Sequence, residues 1–234
     1  MTSDRRLVYL QAMGQKVSGR QAKQGFVSLW LWRAAVTALV SIVIVGLAAA
    51  LWLGTRPMAT GTLAPASTMG AWTLGPGASG GESDGRFTLR AQEANRVVFA
   101  TSELSLTDFA VQVRAAPLSG PADAGYGLVV RHRGPDEFVA LLIGADGYIA
   151  VGQMSGGTWR GRAPWQEWPH IKRGLAENLL RAECRADRCR FYVNDEFAFE
   201  IDAVPAEGRV GPAVWSPEVN RFAAAFRDWR VWAQ

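Results

Sequence analysis

The most constraining feature of this sequence is an uncharged apolar segment from Ala34 to Gly54. Its 21 residues include only Thr37 and Ser41 as polar side chains. About 20 apolar residues, each rising ~1.5 Å along a helix, span the roughly 30 Å hydrocarbon core of a bilayer. The segment therefore predicts a transmembrane helix over residues 34–54. A cleavable signal peptide is the main alternative, although its apolar region is normally only about 7–15 residues long.

The distribution of charge predicts how this helix is oriented. Residues 1–33 contain six basic residues and one acidic residue, whereas residues 34–234 have a net charge of −1. Basic residues accumulate at the cytoplasmic end of a membrane helix. We therefore expect a single-pass protein of the cell membrane, with residues 1–33 cytoplasmic and the C-terminal part extracytoplasmic. Because the excess basic charge lies in this short segment, a nucleic-acid-binding domain is not expected.

Aromatic and basic residues flank the apolar segment at both ends. Amphipathic indoles prefer the interface between the bilayer and water. Residues 1–33 also contain Leu7, Leu10, Met13 and Val17 at helical spacing, which is compatible with a short interfacial helix; a loosely ordered basic tail is the alternative. The predicted membrane-interface anchors are Trp30, Trp32, Arg33 and Trp52.

The chain after the apolar segment divides by composition. Residues 55–70 are rich in Gly, Pro and Thr and predict a tether, because they offer little apolar surface to bury. Residues 71–234 predict an all-β domain, because apolar and polar residues alternate with period two in several short segments separated by turn residues. We expect an antiparallel sandwich. The clearest alternating segments are residues 85–90, 108–115, 126–133 and 137–144.

The two cysteines lie on a predicted hairpin. Residues 177–184 and 189–196 read as strands, and a turn at Ala186-Asp187 would place Cys184 opposite Cys189. We expect a disulfide between them, as suits an oxidising extracytoplasmic side. Metal binding is the alternative, but one cysteine pair supplies only half a zinc site. We expect no metal and no cofactor.

Several motifs, given in order at the end of this paragraph, resemble those of the concanavalin A-like lectin and glucanase jelly roll. The nearer likeness is to bacterial extracytoplasmic modules of the laminin-G or 3-keto-disaccharide hydrolase-like type, and it covers about residues 70–232. Members include lectins, glycosidases and non-catalytic interaction modules, so the resemblance implies a fold rather than one activity. The motifs are Asp108-Phe109-Ala110, Gly125-Tyr126-Gly127-Leu128-Val129 leading to Arg131, Gly134-Pro135-Asp136-Glu137-Phe138, Gly147-Tyr148, Gly156-Gly157-Thr158-Trp159, Phe191-Tyr192-Val193-Asn194-Asp195, Gly208-Arg209-Val210-Gly211 and Phe226-Arg227-Asp228-Trp229-Arg230-Val231-Trp232.

The glucanases of this fold use the strand motif Glu-x-Asp-x-x-Glu. The run from Glu200 to Pro205 has the first two acids, Glu200 and Asp202, but proline stands where the third acid belongs. Since retaining hydrolysis needs a nucleophile and a proton donor, we interpret these carboxylates as a solvated acidic edge and expect no enzyme. Alternation also places His132 on the face of Tyr126, as a core or edge histidine.

A cluster of aromatic and basic residues is the best candidate for recognition. It occupies a Pro-containing segment that reads as a loop. Trp and Arg are enriched at binding hot spots, although one or two indoles could instead cap an open end of the sandwich. The candidate recognition residues are Trp159, Arg160, Arg162, Trp165, Trp168 and His170.

Three functions remain open from the sequence. The first is a membrane-tethered lectin-like module that binds a glycan or an extracytoplasmic protein. The second is an accessory subunit whose helix and outer domain pack on the subunits of a larger membrane complex. The third and weakest is a glycoside hydrolase.

Overall fold

The computed structural model describes residues 31–45, 63–64, 71–202, 204–219 and 221–233. The chain divides into two units, Met1–Pro57 and Met58–Gln234. In the first unit, residues 31–45 form a helix that includes Trp32 and Arg33. Within the described part of the chain, no helix combines the length and the apolar character needed to cross a bilayer. The rest of the predicted span and interfacial helix, with Trp30 and Trp52, lies outside the described residues.

The second unit is an antiparallel β-sandwich of two sheets. Strand β1 (Leu63–Ala64) lies inside the predicted tether and pairs with the last strand, so at least these two residues belong to the folded domain. Sheet 1 is ordered β13 (Glu196–Ile201), β12 (Arg188–Val193), β11 (Asn178–Arg185), β6 (Phe109–Ser119), β15 (Phe222–Ala233), β4 (Arg86–Ala91) and β3 (Ala78–Ser83), with β1 also on β15. Sheet 2 is ordered β10 (Thr158–Glu167), β9 (Tyr148–Ser155), β8 (Glu137–Gly144), β7 (Gly125–Gly134), β14 (Arg209–Trp215), β5 (Val97–Thr101) and β2 (Thr73–Leu74).

Alternation along the strands builds the core between the sheets. On β8, Val139, Leu141 and Ile143 point inward and join the main core cluster. The intervening residues Phe138 and Leu142 point to the outer face of sheet 2, where they belong to a second apolar cluster. Sheet 2 is therefore apolar on both faces, which is unusual for an antiparallel sheet with one face toward solvent.

The β11–β12 hairpin has the register that its turn residues predict. Cys184 pairs with Cys189, and Arg185 pairs with Arg188. The turn uses Ala186 in the left-handed region, with φ 49°. The structure contains the disulfide, with an S–S distance of 1.99 Å, and both cysteines are fully buried in the core.

The end of β7 departs from simple alternation, so His132 does not share the face of Tyr126 as the sequence predicts. Arg131 has a left-handed φ of 55°, and the pairing of β7 with β8 shifts register between Val130 and Gly134. The distortion sends the Arg131 side chain inward and His132 to the outer face. There the imidazole packs 4.7 Å from the Phe99 ring centroid.

Arg131 is completely buried and joins three loops at one end of the sandwich. Its backbone leaves no room for a side chain at Gly208, where a Cβ would lie 2.4 Å from the Arg131 carbonyl carbon. Burial lowers the pKa of the guanidinium, and the nearby Asp108 carboxylate opposes that shift. The guanidinium donates to the carbonyl oxygens of Leu106, Thr107, Ala186 and Ala206.

An asparagine network fixes the segment between β10 and β11. Asn178 accepts a hydrogen bond from the backbone N–H of Lys172 at 2.8 Å and donates to the Tyr126 hydroxyl at 2.9 Å. Asn194 donates to the Asn178 side chain at 2.8 Å and to the His170 carbonyl at 2.7 Å. Burial raises the pKa of Tyr126 to about 12, partly offset by the Asn178 hydrogen bond. The segment is held against the sandwich by buried polar groups that satisfy one another.

Candidate functional site

An apolar groove with a volume of about 330 Å³ lies on the outer face of sheet 2. Its floor is formed by small residues of the central strands, including Ala140 and Gly152, and by Leu142. At Gly152 a Cβ would lie 1.9 Å from the Trp159 ring, so only glycine allows this indole to lie against the sheet. Because the floor residues are small, they leave open the space of the groove, which larger side chains enclose from the sides.

Three indoles form the walls of the groove: Trp159 and Trp165 of β10, and Trp215 at the end of β14. The rings of Trp165 and Trp215 are 6.0 Å apart between centroids and tilted by 44°. Trp159 lies 6.3 Å from Phe138, which belongs to the apolar cluster beside the groove. Trp159 and Trp165 remain 42% and 39% exposed, so their faces are accessible to a ligand.

The rim of the groove supplies a few polar groups. Asn95 has a left-handed φ of 56°, and its backbone N–H donates to the Ser216 carbonyl at 2.7 Å, directly after the strand that contains Trp215. Arg96 pairs with Glu93 at 3.0 Å, and both side chains are about half exposed. Among the residues that the structure describes, Arg96 is the only charged one that lines the groove. An apolar pocket with a few polar groups at its edge is typical of small-molecule sites, which occupy about 300–1,000 Å³.

The structure divides the predicted recognition residues into two groups. The segment from Trp159 to Trp165 is not a loop but part of strand β10, which is an edge strand among the described strands. Proline is tolerated in edge strands, as Pro164 is here. Trp159 and Trp165 line the groove, whereas Arg162 is not among the lining residues and pairs with Asp202 at 2.6 Å. Arg160 is exposed on the same strand.

Trp168 and His170 lie outside the groove lining. The Trp168 ring packs against the core between the sheets, 6.0 Å from Phe199 and 5.8 Å from His170. His170 is exposed, and its carbonyl oxygen accepts the hydrogen bond from Asn194. These two residues therefore serve the segment after β10 and do not contribute surface to the groove.

The sequence interpretation missed Trp215, Asn95 and Arg96. Trp215 follows Trp165 by 50 positions, and pairing of β14 with β7 and β5 brings it to the same face. The contact between Trp165 and Trp215 could be predicted only by someone who already knew the order of the strands in sheet 2. The one sign in the sequence is that Trp215 ends the apolar segment that begins just after Gly208, which forms strand β14.

His132 lies beside the groove, beneath Phe99 and Phe138. Neither of its buried ring nitrogens has a hydrogen-bond partner within the described ranges. Burial and the charge of Arg209 lower the pKa of His132. The imidazole is therefore an apolar packing group at neutral pH, without a partner that would orient it as a base.

The carboxylates of the glucanase-like run are held in ion pairs away from the groove. Glu200 accepts from Arg190 Nε at 2.5 Å, and Arg188 lies 3.7 Å from it. Asp202 follows the end of β13 and pairs with Arg162. Neither carboxylate lines the groove. Asp202 is solvated, with its side chain 72% exposed, and both carboxylates also pair with arginine.

Comparisons with solved structures show the fold. No protein-family model matches this chain, and no curated protein matches it. The carbohydrate-binding module CBM66 from Bacillus subtilis is similar with a TM-score of 0.59 and 18% identity, covering 70% of this chain and 97% of that one. A protein of unknown function with a galectin-like fold from Bacillus subtilis has a TM-score of 0.54 and 13% identity, covering 74% and 94%.

A third similar structure is xylan β-1,4-xylosidase from Bacillus halodurans C-125, with a TM-score of 0.52 and 15% identity. The match covers 76% of this chain but 40% of that enzyme. At such identities the shared property is the antiparallel two-sheet sandwich, consistent with a concanavalin-like jelly roll. An activity does not follow from the fold.

Proposed function

We propose that this chain is a membrane-anchored, non-catalytic module that binds carbohydrate in the groove of sheet 2. The groove itself carries the proposal: three indoles from two strands enclose an apolar space above a floor of small residues. The faces of indole rings pack against apolar surfaces, while the ring N–H can donate to a polar group. A sugar ring, with apolar C–H faces and polar hydroxyl edges, fits such a surface.

The charges around the groove favour an uncharged glycan. Arg96 already pairs with Glu93 at the rim, and the other lining side chains in the described part of the chain are uncharged. Asn95 offers an amide that can both donate to and accept from sugar hydroxyls. The description of one similar structure as a carbohydrate-binding module supports the same class of ligand at the level of the fold.

The anchor is a separate part of this proposal. Residues 34–54 are uncharged and long enough to span a bilayer, and their first part belongs to the helix over residues 31–45. The basic residues before the span favour a cytoplasmic N-terminus. The groove would then face the extracytoplasmic space, where cell-surface or environmental glycans are found.

A panel of neutral oligosaccharides tests the proposal with the full-length protein in a mild neutral detergent. We expect at least one glycan to bind, and Trp165→Ala to weaken it at least about tenfold, a loss of ~1.4 kcal/mol. Phe197→Ala is the control, because Phe197 is a 51% exposed aromatic residue of sheet 1 that does not line the groove. The control should bind as the wild type does.

Three results would contradict the proposal. One is the absence of binding across the panel. Another is binding that Trp165→Ala leaves unchanged, which would place the site elsewhere. The third is hydrolysis of a panel glycan by the wild type that is lost in Glu200→Gln, which would favour the glycosidase. If no glycan binds and other membrane subunits co-purify in stoichiometric amounts, the accessory-subunit function is favoured instead.

A further inference from the structure

The outward face of sheet 1 contains a row of arginines on three neighbouring strands. Arg86 of β4 lies directly opposite Arg227 of β15, and Arg227 lies opposite Arg114 of β6 on its other side. Neighbouring strands are about 4.8 Å apart, so the three side chains begin close together. With Arg90, four residues along β4, and Arg230 of β15, they form what we call the arginine stripe.

A bulge in β15 keeps Arg230 on this face. Residues three apart on a regular strand point to opposite faces. Asp228 adopts a left-handed φ of 57°, and the register with β6 shifts so that Arg230 pairs with Gln112. Gln112 and Arg114 share a face because they are two residues apart. The bulge therefore adds a further cation to the stripe.

The positive charge of the stripe is only partly compensated. Glu177 lies 3.5 Å from Arg114 and 2.7 Å from Arg227. Asp228 pairs with Arg227 at 2.9 Å. The stripe thus has five arginines and two carboxylates, although residues 34–234 as a whole have a net charge of −1. Its exposed arginines without an ion pair or hydrogen bond to another described residue are Arg86, Arg90 and Arg230.

We propose that the arginine stripe binds an acidic polysaccharide. Guanidinium groups form bidentate contacts with carboxylate, sulfate and phosphate groups, and a polymer with repeated anionic groups can reach several arginines at once. The row between the arginines consists of Thr88, Ala225 and Ala116. Two residues beyond Ala116 on β6, Leu118 is 42% exposed. Because five arginines dominate this face and the row between them has only small side chains to offer to lipids, the surface fits a hydrophilic polyanion better than a bilayer. This site is independent of the groove on sheet 2.

Binding of dextran sulfate by the full-length protein in neutral detergent tests this proposal, with uncharged dextran as the reference polymer. We expect dextran sulfate alone to bind, with an affinity that falls as salt rises. The variant Arg86→Gln/Arg90→Gln/Arg230→Gln should bind at least about tenfold more weakly. The matched control Arg133→Gln/Arg173→Gln/Arg209→Gln removes the same charge from exposed positions off the stripe and should stay within about twofold.

The basic N-terminal segment is the same in all three proteins, so its contribution cancels in the comparison. Unchanged thermal unfolding of the stripe variant shows that a loss of binding is not a loss of folding. Trp165→Ala should bind dextran sulfate normally, which separates this proposal from the one for the groove. Equal losses in both triple variants, no binding by the wild type, or a loss seen only with phosphatidylglycerol vesicles would overturn the proposal.

Discussion

Arg131 shows how one buried side chain can organise several loops. Its guanidinium donates to carbonyl oxygens before β6, in the β11–β12 turn and before β14. Backbone carbonyls that lose a buried partner each cost about 1–3 kcal/mol. The four carbonyls that depend on Arg131 are therefore expected to make it one of the most sensitive positions in the domain.

We predict that Arg131→Met lowers the free energy of unfolding by at least about 3 kcal/mol, because the apolar side chain leaves these carbonyls unsatisfied. Urea denaturation measures the change. Arg133→Met is the control, since Arg133 is exposed and pairs with Glu137 at 3.6 Å, a surface contact worth about 0–1 kcal/mol. Equal losses in the two variants would show that the Arg131 contacts are not stabilising.

At the residue scale, the alternation of apolar and polar residues predicts which face of the sheet a side chain points to, as long as the strand is regular. The inward positions of Tyr126 and Leu128 follow from period two, and both are fully buried. His132 does not follow this rule, because Arg131 has a left-handed φ, and an arginine in the sequence does not indicate that conformation. The hydrogen bonds that select this conformation come from loops distant in sequence, so the sequence around His132 contains no sign of it.

At the element scale, the β11–β12 hairpin combines a tight turn with the only cysteine pair of the chain. A crosslink stabilises the fold mainly by restricting the unfolded chain, and a loop of this length corresponds to about 2 kcal/mol. We predict that reduction lowers the free energy of unfolding by roughly that amount. Thermal unfolding with and without dithiothreitol measures it.

The control for this prediction is Cys184→Ala/Cys189→Ala, whose thermal midpoint should not respond to dithiothreitol. A wild-type midpoint that is equally insensitive, with the thiols shown to be reduced, would contradict the prediction. The crosslink closes the hairpin next to the Arg131 contacts, because Ala186 of the turn accepts from the guanidinium.

The strands that the sequence predicts least well are those at the sheet edges. β3 is the Gly-rich run from Ala78 to Ser83, whose last four residues are exposed; it is a strand because its backbone pairs with β4. β10 contains proline and two register shifts, and its sequence reads as a loop. Central strands such as β8 can be predicted from their run of apolar residues, whereas edge strands form because they pair with a neighbouring strand.

At the scale of the whole molecule, the proposed anchor over residues 34–54 precedes the β-sandwich in the chain. We predict that the full-length protein stays in the membrane fraction after alkaline carbonate extraction, because an uncharged apolar segment as long as residues 34–54 can span the hydrocarbon core. Protease added to intact spheroplasts should remove the domain that contains the disulfide. Release by carbonate, or complete protection from protease while an extracytoplasmic marker is cleaved, would contradict the proposed anchor and orientation.

The folded molecule also brings together charges that are separate in the sequence. The sequence shows a basic N-terminal segment and a nearly neutral remainder. Strand pairing then brings Arg86, Arg114 and Arg227 into one row, although they lie far apart in sequence. Their proximity depends on the order of the strands in the sheet, as does the meeting of Trp165 and Trp215 in the groove.

Indoles from β10 and β14 are proposed to bind one glycan together. The most direct test is calorimetric titration of the best panel glycan with the wild type, Trp165→Ala, Trp215→Ala and the double variant. We predict at least about a tenfold loss in each single variant, ~1.4 kcal/mol, and a loss in the double variant smaller than the sum, since contacting residues are not additive. Wild-type affinity in Trp215→Ala, with affinity lost in Trp165→Ala, would contradict a shared groove.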